Sequence, residues 1–326
     1  MRAPEFWQRR GWAALLLVPA ACLWALAGRL RRRWVKPYHV AVPVICIGNL
    51  VAGGGGKTPL AIAVARRLIA LGHKPHVLSR GYGGRLKGPQ RVDLNRHGAR
   101  DVGDEPLLIA RHAPVWIGAD RRATARAAIA AGANVLVMDD GFQNPSLAKD
   151  LCLVAVDGGY GLGNGRVMPA GPLREPVADG LARADAVVVI GQDLHGLADH
   201  LAGPGRPALA AVLQPPADAK VLDGAPVWAF AGIARPEKFF ATLEDQGAIV
   251  LGRRSFSDHH AFDPLEIMTM VEAAHALGAE LITTEKDWVR LDADARMMVD
   301  ALPVNLVFAR PEMLDTLLAD ALETAS

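Results

Sequence analysis

The 326 residues are 51% hydrophobic and 21% charged with a net charge of +2, long enough for one large α/β domain or two modest ones. So small a charge argues against a nucleic-acid binder working by bulk electrostatics. Cys22, Cys46 and Cys152 are far apart with no C-x-x-C pair, which speaks against structural zinc; two lie in apolar strand-like runs and are expected as buried free thiols in a reducing compartment.

The chain is apolar from residue 12 to residue 27, flanked by Arg9-Arg10 and by Arg29, Arg31, Arg32 and Arg33. As a helix this stretch reaches roughly 24 Å, short of a ~30 Å hydrocarbon core. Three readings compete. A cleaved signal peptide could use Ala25-Leu26-Ala27, but the arginine cluster just behind that site is unfavourable. A full span is marginal in length. The best fit is an N-terminal hydrophobic anchor helix dipping into one leaflet, with Trp7, Trp12, Trp24 and Trp34 at the interface and the arginines on anionic headgroups. Residues 1–36 are assigned to it.

Residues 44–47 read as a buried strand that runs into Val51-Ala52-Gly53-Gly54-Gly55-Gly56-Lys57-Thr58 and then, from Thr58, into an Ala/Leu/Ile/Arg helix. Such a turn aims backbone N–H groups and the positive end of a helix dipole at one point, which suits a polyphosphate. Lys57 would reach the β- and γ-phosphates and the Thr58 hydroxyl would sit on Mg²⁺. The strict pattern asks for glycine five positions before Gly56, where Val51 stands. A flexible glycine linker would predict neither the strand nor the helix.

Strand-like and helix-like segments then alternate, with strands at 76–78, 114–117, 134–138, 151–156 and 186–190. This implies a P-loop NTPase-like parallel sheet with helices on both faces and active residues at the strands' carboxyl ends. The Ala/Gly/Pro-rich stretch 195–223 marks a boundary. Beyond it, strands at 227–231, 248–251, 281–283 and 304–308 alternate with helices from 236, 264 and 311. The expected layout is a P-loop domain at 37–215, a smaller α/β domain at 216–326 and a cleft between them.

The strand ending in Asp139-Asp140 would lie beside the phosphate loop and hold Mg²⁺ directly or through water, unless the pair merely caps a turn. Gln143 follows within reach. Asp104-Glu105 open a helix, so they read equally as dipole capping or as a general base and a second Mg²⁺ contact. Ser257-Asp258-His259-His260 is a poor metal site, because adjacent side chains diverge; helix-entry capping competes with a histidine assisting a carboxylate base across the cleft. Arg174-Glu175, in a stiff proline loop, and Arg121-Arg122 could neutralise phosphate or form exposed salt links. Thr284-Glu285-Lys286-Asp287 ends a strand where a nucleotide base or ribose could sit.

These pieces, in this order, resemble the tetraacyldisaccharide 4′-kinase family. The likeness runs through Gly48-Asn49-Leu50, the phosphate loop with Pro59, Ser79-Arg80-Gly81-Tyr82-Gly83, Val102-Gly103-Asp104-Glu105-Pro106 and Asp139-Asp140-Gly141-Phe142-Gln143. It continues through Gly171-Pro172-Leu173-Arg174-Glu175, Phe256-Ser257-Asp258-His259-His260 and Thr284-Glu285-Lys286-Asp287. Asn144 stands where many relatives have histidine. The resemblance implies transfer of the ATP γ-phosphate to the 4′-hydroxyl of a tetraacylated glucosamine disaccharide 1-phosphate, giving lipid IVA. It implies ATP on residues 51–58 and Mg²⁺ on Thr58, Asp139 and Asp140, with Glu105 and Glu175 as further candidates. Asp104 becomes the base, His259 its partner, Lys57 and Arg174 catalytic, and Gln143 a further site residue; Arg121, from its place opening a helix, is a further candidate. It also implies peripheral or monotopic association with the cytoplasmic face of the bacterial inner membrane, with no nucleic acid and no obligate protein partner. The rival reading is a membrane-associated P-loop switch ATPase without a lipid substrate.

Overall fold

The structure, a computed structural model, describes residues 4–9 and 11–324. In chain order the strands are β1 (Val44–Asn49), β2 (Pro75–Ser79), β3 (Gln90–Arg91), β4 (Val115–Ile117), β5 (Val135–Met138), β6 (Leu151–Asp157), β7 (Ala186–Ile190) and β8 (Ala208–Gln214). Then come β9 (Pro226–Ala231), β10 (Ile249–Ser255), β11 (Glu280–Thr284), β12 (Asp300–Leu302) and β13 (Asn305–Phe308). The large sheet has the order β13-β8-β7-β6-β1-β5-β2-β4-β3 and the small one β10-β9-β11-β12.

All pairings in the large sheet are parallel except the outermost one on each edge, β13 on β8 and β3 on β4. β1 is buried along its whole length between β5 and β6. This matches its unbroken apolar run, because helices cover both faces of a parallel sheet. Ile45 and Ile47 face one core layer, with Leu60, Val64 and Leu68; Val44 and Cys46 face the other, with Leu136, Met138 and Phe142. Cys46 and Cys152 are free and buried, as expected, and Cys22 is free and exposed.

Three expectations need correction. The stretch 195–223 is no simple boundary, since β8 lies inside it. The chain's end does not stay with the smaller unit: β13 pairs with β8, and the helix Pro311–Thr324 puts Leu314, Leu318 and Ala321 into the large sheet's core. The anchor helix is also not supported as drawn. The apolar segment divides into α1 (Trp12–Leu16) and α2 (Val18–Trp34), and α2 itself includes Arg29 and carries Arg31, Arg32 and Arg33 in its last turn. Among the described residues no helix is long and apolar enough to cross a membrane. α2 docks by its polar groups: Trp24 donates to the Arg174 carbonyl, Arg29 pairs with Asp179, and Arg32 lies 3.2 Å from Glu175.

Candidate active site

β1 delivers the phosphate loop to the first turn of α3 (Lys57–Ala70), whose leading N–H groups have no intrahelical partner. Gly56 caps α3 at φ 80°, and a Cβ there would stand 2.4 Å from Ile190, so only glycine fits the turn. The segment carrying Arg174 braces the loop, with Ala52 N–H donating to the Pro172 carbonyl (2.8 Å) and Arg174 N–H to the Leu50 carbonyl (2.7 Å). From the smaller unit, Arg235 donates to the Gly54 carbonyl (2.8 Å) and pairs with Asp157 at the end of β6, where Lys238 joins it.

At the end of β5, Asp139 is sealed at 1% exposure, and its Oδ1 has no hydrogen-bond partner. Burial, with the like charges of Glu105 and Asp140, pushes its carboxyl up to about 7. Asp140 has a left-handed backbone (φ 52°), unusual for a side-chain-bearing residue and typical of functional sites. Its Oδ1 accepts from Arg174 (2.8 Å) and lies 3.9 Å from Lys57 Nζ. Burial raises the Asp140 carboxyl, but Lys57 and Arg174 outweigh it and hold it below the usual range. Arg121, 3% exposed, lies beneath the pair; burial lowers its value and the two aspartates oppose that. A divalent cation suits this corner: an orphaned buried carboxylate oxygen, a second carboxylate and the Thr58 hydroxyl are hard oxygen donors, and Mg²⁺ ordinarily takes only one or two protein carboxylates plus phosphate and water.

Across the cleft, His259 comes from the smaller unit, also left-handed at φ 58°. Its Nδ1 is 2.9 Å from Asp104 Oδ2, and its other ring nitrogen is 3.5 Å from Lys286 Nζ. Tyr82 packs edge-on against the ring, with centroids 6.2 Å apart. Burial would raise the Asp104 carboxyl, yet the His259 hydrogen bond and the charges of Lys286, His259 and Arg290 bring it down to about 2. Asp104 therefore accepts and His259 donates from Nδ1. The His259 side chain, 37% exposed, lines the cleft, while Asp104, 5% exposed, lies behind it. Lys286 also sits 3.5 Å from Glu105 and 3.7 Å from Asp258.

Both clusters line one cavity of about 1870 Å³. A model of the family described as tetraacyldisaccharide-1-P 4′-kinase matches residues 13–323. The chain belongs to the tetraacyldisaccharide 4′-kinase family. It is 55% identical to the tetraacyldisaccharide 4′-kinase of Rhodospirillum centenum over 99% of this chain and 97% of that protein. The counterpart from Paramagnetospirillum magneticum is 54% identical over 97% and 98%. Among solved structures, the "apo" form of Aquifex aeolicus LpxK in complex with ATP superposes with a TM-score of 0.77 at 28% identity, covering 95% of this chain and 99% of that one.

Most residues singled out in the family motifs converge: residues 53–58, Glu105, Arg121, Asp139, Asp140, Gln143, Arg174 and His259 all line the cavity. Val51 and Ala52 form the braced entry to the loop. Glu175 does not join the metal candidates. The two side chains part: Arg174 reaches Asp140 while Glu175 is held by Arg183, Arg32 and Gln143 (3.1 Å). Among the described residues no group of three or more His, Cys, Asp or Glu is arranged to hold a metal. Lys286 stands beside His259, and Thr284 and Glu285 line the same cavity. His260 pairs with Glu266 and not with Asp104. Asp157, Arg235 and Lys238 were not singled out. Asp157 ends an apolar strand as Asp139 does, and that was the available signal.

Proposed function

We propose that this chain transfers the γ-phosphate of ATP to the 4′-hydroxyl of a tetraacyldisaccharide 1-phosphate, giving lipid IVA in lipid A biosynthesis. The observation that carries the reading is that a phosphate loop with its aspartates and a His259–Asp104 pair face each other across one cavity. Phosphoryl transfer needs in-line placement and charge neutralisation more than covalent chemistry. Lys57 and the amides of residues 53–58 bind and orient the triphosphate, and Arg174, tied to Asp140, adds positive charge beside Lys57. Thr58, Asp139 and Asp140 would hold Mg²⁺, which when bound neutralises phosphate charge.

The proton of the acceptor hydroxyl passes to His259. Asp104 stays ionised at working pH, fixes the ring through Nδ1 and leaves the outer nitrogen as the base. This reverses the roles expected from the motifs, with Asp104 as the positioning partner. The substrate's acyl chains remain in the bilayer while its sugar enters the cavity. Exposed Trp12, Leu15, Leu16, Leu23, Trp24 and Leu26 support a monotopic seat on the cytoplasmic face of the inner membrane. The test is transfer of labelled γ-phosphate from ATP to tetraacyldisaccharide 1-phosphate in detergent micelles, with Lys57→Ala as the blank. Labelled lipid from the parent alone is the expected result. ATP hydrolysis without lipid labelling would overturn the reading in favour of a switch ATPase.

A further inference from the structure

We infer that Asn49 is a positioning residue that holds the phosphate loop in its binding shape. Asn49 ends β1 at 1% exposure. Its Nδ2 donates forward to two carbonyls of the loop, Val51 at 2.6 Å and Gly53 at 3.3 Å. The side chain therefore ties the end of β1 to the bend that enters the glycines.

Four further observations fit this role. The amide orientation is determined, because turning it over would set an oxygen against both carbonyl oxygens. Its own Oδ1 is buried without a partner, a cost borne by the two bonds the nitrogen makes. The loop also folds directly over the carboxamide: a Cβ on Gly55 would lie 2.8 Å from Nδ2. Finally, the main-chain oxygen of Asn49 accepts from Gln143 (2.9 Å), whose Oε1 is 3.4 Å from Arg174, the residue that holds Asp140. One residue thus joins the shape of the phosphate cradle to the carboxylate beside it.

This inference rests on the kinase reading, so the test separates ATP binding from transfer. Asn49→Leu keeps the volume and removes the donor; Asn49→Asp keeps the outline and turns donor into acceptor. Mg-ATP affinity is measured by calorimetry without lipid, KM for ATP and for the acceptor by labelled transfer, and thermal melting with and without ATP. Loss of the two bonds is expected to raise Kd and KM for ATP at least about tenfold. The acceptor KM should stay within about twofold, with a smaller ATP-induced rise in the melting midpoint. A folded variant that binds ATP as the parent does would overturn the inference. So would failure of both variants to fold, which would assign Asn49 to the strand core. A parent that binds ATP but labels no lipid would sink the kinase reading and leave Asn49 to be judged on ATP affinity alone.

Discussion

Asp104 and Asp139 are almost equally sealed from water, 5% and 1% exposed, yet they stand at opposite ends of the carboxylate range. Burial pushes both upward. On the acceptor side, His259, Lys286 and Arg290 overcome it and hold Asp104 at about 2. On the nucleotide side, Glu105 and Asp140 add to it, Lys57 and Arg121 offset too little, and Asp139 stands at about 7. Partners, not depth, set the difference. The acceptor side is electrostatically complete within the chain, while the nucleotide side leaves a buried carboxylate oxygen of Asp139 without a partner. The strongest way to break this comparison is to remove charge from the incomplete side. Lys57→Ala is expected to lower kcat/KM for lipid phosphorylation by roughly 10³-fold or more. Initial rates that fell by less than about tenfold would show that the loop is not the phosphate donor site.

The acceptor side should respond next. His259→Ala removes the proposed base and Asp104→Asn its proposed anchor, and each is expected to cost about 10²–10⁴-fold in kcat. Mg-ATP affinity by calorimetry should change by less than about twofold, because no hydrogen bond or ion pair joins either residue to the loop. The double variant should lose scarcely more than His259→Ala alone, as groups that act as a unit do. Losses that multiply would separate the two residues.

The two carboxylates also predict opposite responses of stability to pH. Asp104 is depressed, so its contribution is present above the unfolded value of 3.8 and is lost as pH falls through about 2. Asp139 is raised, so its contribution is present below 3.8 and is lost as pH rises through about 7. Asp139→Asn should therefore abolish transfer yet stabilise the metal-free protein at about pH 8, by an amount on the order of 1–4 kcal/mol. Added Mg²⁺ should raise the melting midpoint of the parent more than that of the variant. Destabilisation of the metal-free protein by Asp139→Asn would mean that Asp139 is already satisfied there.

The nucleotide side is the more legible half in sequence, because strand, loop and helix are contiguous and each shows its own period. The acceptor side is assembled from residues 155 positions apart, Asp104 and His259, and spacing left the roles of both open. Motif order brought them together; the direction of the hydrogen bond and the depth of Asp104 then needed coordinates. Other misses have local causes. β8 is hidden in an Ala-rich run between prolines and glycines, with weak strand propensity. β13 is four residues long, too short for its pattern to name a partner in the other unit. Glu175 was grouped with Arg174 by adjacency, although adjacent side chains point apart.

The smallest expected effect tests whether the apolar patch lies outside the chemistry of both sides. Leu23 and Leu26 are 68% and 50% exposed, and α2 is fixed to the body by Trp24, Arg29 and Arg32 rather than by them. Nothing in the packed core needs these two side chains, so their exposure is best explained by a surface the chain meets elsewhere. Leu23→Lys with Leu26→Lys should leave the thermal midpoint and Mg-ATP affinity unchanged. Burying one leucine side chain stabilises by about 1.5–3 kcal/mol, so the pair should shift the protein measurably from liposomes into solution in flotation. Transfer to substrate in detergent micelles should fall by no more than about threefold, since the micelle brings the acceptor to the cleft without the bilayer. Unchanged flotation would argue against a membrane seat on α2, while a large loss of micellar turnover would place the helix in the acceptor's path and join it to the His259 side of the comparison.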